Sequence, residues 1–121
     1  MELPEEIEGN MKEKYKKCGL NYELILDKYP NIDEYEQIVH AYLEDEFFND
    51  MKTMIEQDDF EMLKDACKGL FILANDLYLM PLYESLLELY ESLEYEEYGN
   101  LMNEYNNVMS RHARIRNTLV V

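Results

Sequence analysis

The 121-residue sequence has no tryptophan, four glycines, three prolines, two cysteines and only 11 basic residues against 27 acidic ones. Each shortage removes possibilities. With so little glycine and proline the chain runs in long uninterrupted stretches, and no alternating apolar–polar pattern persists in any of them, which argues against a β architecture. Cys18 and Cys67 make no disulfide framework and stand in no metal-ligand spacing such as CxxC. Cys67 falls on an apolar helix stripe and reads as a small buried hydrophobe. The scarcity of Lys and Arg leaves a formal charge of −16. Such a field repels nucleic acid and anionic membrane, because binding phosphates requires neutralising them. No apolar run is long enough to span a bilayer, and MELPEEIEGNMKEKYKK lacks the apolar core of a secretion signal; a reduced, cytoplasmic protein is the expectation.

What is present is periodic. Apolar residues recur at three- and four-residue steps, the spacing that collects them on one side of an α-helix. One stripe runs Ile38, Tyr42, Phe47, Met51, Met54 and Ile55, widened by Val39 and Leu43. A second runs Phe60, Leu63, Cys67, Leu70, Ala74, Leu77; a third Leu82, Leu86, Leu89, Leu93; a fourth Leu101, Tyr105, Val108, His112, Ile115. Four stripes predict four main helices. Asn31, three residues before Glu34, gives a capping-box signal after Pro30 closes a short helix around YELILDKY. Asp58 or Asp59 can cap the second long helix, Pro81 suits the first turn of the third, and Gly99 with Asn100 marks the gap before the fourth. Short connections make consecutive helices antiparallel. The expectation is one all-α domain over residues 1–121, an up-down antiparallel four-helix bundle with an additional N-terminal helical segment reaching Gly19 and interrupted at EGN.

Residue types that carry chemistry are scattered. Glu94, Glu96 and Glu97 point in different directions from one helix end and read as a solvated turn. A di-iron bundle needs glutamate three residues before histidine, but Gln37 precedes His40 and Met109 precedes His112. His112 lies on the apolar stripe and reads as a satisfied core histidine, while His40 has no nucleophile or base beside it. No glycine-rich phosphate loop or serine elbow is present, so no metal and no cofactor is implied.

The stretch LKDACKGLFILANDLYLMPLYESL, Leu63 to Leu86, places an acidic residue and the pair AC before a lysine, then starts a second helix at proline. It resembles the phosphoacceptor helix, and the helix after it, of histidine phosphotransfer (HPt) domains. GLNYELILDKYP is similar to the segment leading into that fold, AYLEDEFFNDMKTMIEQDDFEML to the long helix and turn before the active helix, and NEYNNVMSRHARI to the last helix. The family carries a pattern close to His-x-x-Lys-Gly, with a small residue or glycine near the helix end. Matching Lys68-Gly69 to that lysine-glycine puts Asp65 where the histidine belongs, but requires about one inserted helical turn before PLYES, which would rotate every later stripe residue. The gap-free register, from Asp59 through Leu93, puts Lys68 at the phosphoacceptor position, Phe71 and Ile72 where the family has lysine and glycine, and Tyr78 at the terminal glycine.

Either register lacks the histidine. A lysine amine, with an ordinary pKa of about 10.4, is protonated at neutral pH and has no lone pair with which to attack an aspartyl phosphate. The resemblance therefore implies a catalytically silent HPt-like signalling domain of two-component phosphorelay systems. It would bind a response-regulator receiver domain or a histidine kinase without relaying phosphate, and bind neither nucleic acid nor membrane. Lys64, Asp65, Lys68, Ile72 and Asn75 would form the partner-docking face, since spacings of three and four bring them to one side of the helix. The alternatives are a structural or oligomerisation bundle, and an HPt domain that still carries phosphate on Asp65 or His40.

Overall fold

In the computed structural model, which describes residues 5–119, the chain folds into helices α1 (Glu5–Lys17), α2 (Tyr22–Lys28), α3 (Ile32–Leu43), α4 (Phe47–Glu56), α5 (Phe60–Asp76), α6 (Met80–Glu94) and α7 (Leu101–Leu119). The described residues contain no strand. Asn31 and Asp59 start α3 and α5 as their chemistry predicts: the Asn31 amide oxygen accepts from the Glu34 N–H at 3.1 Å and an Asp59 carboxylate oxygen from the Met62 N–H at 3.4 Å. Each satisfies an N–H that the first turn leaves without a helical partner. Pro81 opens α6, and α1 continues through Gly9, so EGN interrupts nothing.

One expected helix is two. The stripe from Ile38 to Ile55 is broken at Glu44–Glu46, where an Asp45 carboxylate oxygen accepts the Phe47 N–H at 2.9 Å and restarts the chain as α4. A restarted helix has a new phase. Ile38 is 42 % exposed and Phe47 is 47 % exposed, whereas Tyr35 and Phe48, which the single-helix reading left outside, are buried. Val39, Tyr42, Leu43, Met51 and Met54 point inward as expected.

The other three stripes face one core. Leu63, Cys67, Leu70 and Ala74 of α5 meet Leu82, Leu86, Leu89 and Leu93 of α6 and Leu101, Tyr105, Val108 and Ile115 of α7, all buried. Removing that apolar surface from water is the main stabilising term, about 25 cal/mol per Å2. α5 packs on α6, α6 on α7, and α4 on both α5 and α7, while α1 lies against α2 and α7 and α3 against α7.

Four helix ends share one device. The chain leaves α1, α4, α5 and α6 through a residue with positive φ, at Gly19 (77°), Asp58 (53°), Tyr78 (56°) and Glu96 (56°). The next N–H then reaches back across the last turn, as from Leu79 to the Ala74 carbonyl at 2.9 Å and from Leu20 to the Tyr15 carbonyl at 2.9 Å. This Schellman closure satisfies orphan carbonyls and reverses the chain within three residues. Only one of the four positions is glycine.

Tyrosine supplies a second set of ties. The hydroxyls of Tyr42, Tyr29 and Tyr35 donate to the α5 carbonyls of Leu70 (2.6 Å) and Asp76 (2.8 Å) and to Leu77 just beyond (2.6 Å). Lys28 Nζ shares the Asp76 carbonyl at 2.6 Å and lies 4.9 Å from the Tyr78 ring centroid. At the α3–α4 break, Tyr105 OH donates to the Phe48 carbonyl at 2.7 Å, and His112 Nε2 lies 2.7 Å from the Leu43 carbonyl oxygen.

Candidate functional site: the exposed arc of α5

α5 buries one side and leaves a broad arc open, because Leu63, Ala66, Cys67, Leu70 and Ala74 cover less than half of its circumference. At about 100° per residue, Lys64, Asn75 and Lys68 fall toward α6, Ile72 and Asp65 along the crest, and Gly69, Met62 and Leu73 toward α4.

The predicted docking residues do not form one equivalent set. Lys64 is half-buried; its ammonium pairs with the Glu94 carboxylate of α6 and lies 5.8 Å from the Tyr90 ring centroid. The hydrogen bond that the Lys64 ammonium donates to Glu94 holds the Lys64 pKa above its ordinary value, and the same bond holds Glu94 below its own. Lys64 is thus turned away from the crest and engaged. Lys68 is exposed and makes no ion pair among the described residues, and Asp65, Ile72 and Asn75 are exposed with it.

The apolar edge was missed in sequence. Phe47, Met62, Gly69 and Leu73 border an open groove of about 390 Å3 between the start of α4 and α5, with Asp45 and Asp65 in its lining. Met62 is 54 % exposed and Leu73 is 47 % exposed. The available signal was that Met62 and Leu73 lie off the second stripe: large apolar residues outside the core arc mark a surface.

The remaining reactive groups lie off this arc. His40 is exposed on α3. His112 is buried, its ring 4.6 Å from that of Phe48, and burial lowers its pKa despite the Leu43 carbonyl. The Cys67 thiol lies 3.8 Å from Met51 Sδ and is pushed up to about 12 by burial and by Glu104, so it is a packed thiol rather than a nucleophile. Glu94, Glu96 and Glu97 are exposed, and no group of three His, Cys, Asp or Glu side chains among the described residues is arranged to hold a metal ion. No described helix is long and apolar enough to cross a membrane.

Comparison of the chain with protein-family models, with curated proteins and with solved structures returns no match.

Proposed function

We propose that the chain is a catalytically silent, HPt-like docking domain: α4–α7 form an up-down bundle, and the arc of α5 binds a receiver or kinase module without passing phosphate. The observation that carries this reading is the backbone of Tyr78. The gap-free register puts the family's terminal glycine there, and Tyr78 has φ 56°, a conformation that favours glycine. The same register puts Lys68 at the phosphoacceptor position, and Lys68 projects into solvent from the middle of α5. A cation there complements the acidic pocket that surrounds a receiver's aspartate, and its protonated amine cannot accept the phosphoryl group. Ile72, one turn on and 47 % exposed, adds apolar contact area.

The test is incubation with phosphorylated receiver domains, read both as binding and as transfer. Binding lost in Lys68→Glu, with no label reaching the chain, is the expected result. Label that is base-stable, acid-labile and abolished by His40→Ala would establish phosphate transfer and overturn the proposal.

A further inference from the structure

We infer that the groove between α4 and α5 receives a cationic amphipathic helix from a partner protein. The inference rests on α5 being the working helix of the proposed docking domain, and it concerns the α4 edge rather than the side that carries Lys68.

Three features select this occupant. The first is shape: Phe47, Met62 and Leu73 are each roughly half exposed and spaced along one groove, and a Cβ added at Gly69 would meet no atom within 4 Å beyond its own turn of helix. A neighbouring backbone can therefore approach α5 closely at Gly69 while its apolar side chains fall between the two helices. The second is secondary structure. No sheet edge exists among the described residues to recruit an extended peptide, so recognition is helix-in-groove, through apolar anchors at i, i+3 or i+4, and i+7. The third is charge. The groove lining holds two carboxylates, Asp45 and Asp65, and no cation; Lys64, the basic residue nearest α6, is held by Glu94. Lys and Arg flanking the partner's apolar anchors would meet Asp45 and Asp65, and the overall charge of −16 would speed their approach. That same charge opposes a second copy of the chain as occupant.

The experiment uses two designed helical peptides of about 18 residues with identical leucine positions, one flanked by lysines and the other by glutamates. Binding is followed by fluorescence anisotropy and by amide chemical shifts of the full chain. The lysine peptide is expected to bind at least about tenfold more tightly than its acidic twin, with a strong salt dependence. Its shifts should centre on Phe47, Met62, Asp65, Gly69 and Leu73. Leu73→Asp, with its thermal melt retained, should weaken binding by about tenfold or more; Asp45→Asn with Asp65→Asn should remove most of the salt dependence while keeping an oxygen to cap α4. Lys68→Glu should leave peptide binding intact or strengthen it, which separates this inference from receiver docking, where the same change is damaging. Equal affinity for the two peptides, shifts lying outside the groove, no binding, or a concentration-dependent dimer that occupies the groove would each overturn it.

Discussion

The two edges of the molecule around α5 are joined by different forces. Toward α6 and α7, α5 is held by leucine against leucine: Leu63, Leu70, Leu82, Leu86 and Leu89 are at most 2 % exposed. Toward α2 and α3 buried apolar residues such as Ile25 and Val39 are joined by directed hydrogen bonds, from Tyr29, Tyr35, Tyr42 and Lys28 onto carbonyls of α5 and its end. Apolar contact is strong and non-directional, whereas a hydrogen bond contributes less in net terms but specifies which atom must sit where. The leucine side sets most of the stability, and the tyrosine side sets the seating.

Substitutions can break that contrast in graded steps. Leu86→Ala or Leu89→Ala should cost about 2–5 kcal/mol by leaving a cavity in the α5–α6–α7 core, read as a lower urea midpoint. Gly19→Ala comes next, at about 1–3 kcal/mol, since it forces a side chain into positive φ. The added Cβ would also lie 2.8 Å from Pro81 Cγ. Tyr35→Phe keeps the ring but leaves the buried Leu77 carbonyl without its hydroxyl, an expected loss of about 1–2 kcal/mol in the same assay.

A weaker effect is expected from His112, because protonation leaves its Nε2–H donor in place. Burial lowers its pKa in the folded chain. Its neutral form is therefore preferred in the fold: the contribution is fully present above the unfolded value of about 6.5 and is lost as pH falls toward the folded pKa. Urea melts at pH 7.5 and 5.5 should show that loss, and it should shrink in His112→Gln. Smallest and opposite in sign is Gly69→Ala, which should stabilise an exposed helix position by about 0.5–1 kcal/mol. A destabilised Gly69→Ala variant would show that the groove is less open than described.

Much of the leucine side was legible in sequence, because a helix that buries one face repeats its apolar residues every three or four positions whatever lies opposite. The caps at Asn31 and Asp59 were legible for the same reason: the signal is local. The α3–α4 break was not, since LEDEFF contains neither glycine nor proline and the restart depends on Asp45 bonding the Phe47 N–H instead of continuing the helix. That misphasing sent Phe47 to the core on paper and concealed the groove. The charged half of the α5 arc could be read from spacing, but the engagement of Lys64 could not, since Glu94 sits on another helix. The tyrosine ties were equally invisible, each hydroxyl reaching a carbonyl 28 to 47 residues away.

The convergence of those hydroxyls on the C-terminal half of α5 makes its length a ruler for the residues before it. An extra residue inserted between Leu70 and Asp76 would swing the last carbonyls by about 100° and leave Lys28, Tyr29 and Tyr35 addressing empty bearings. The α5–α6 turn could absorb such a change locally. The N-terminal helices could not, and evolutionary drift in this chain should therefore tolerate new side chains on α5 far more readily than a change in where it stops.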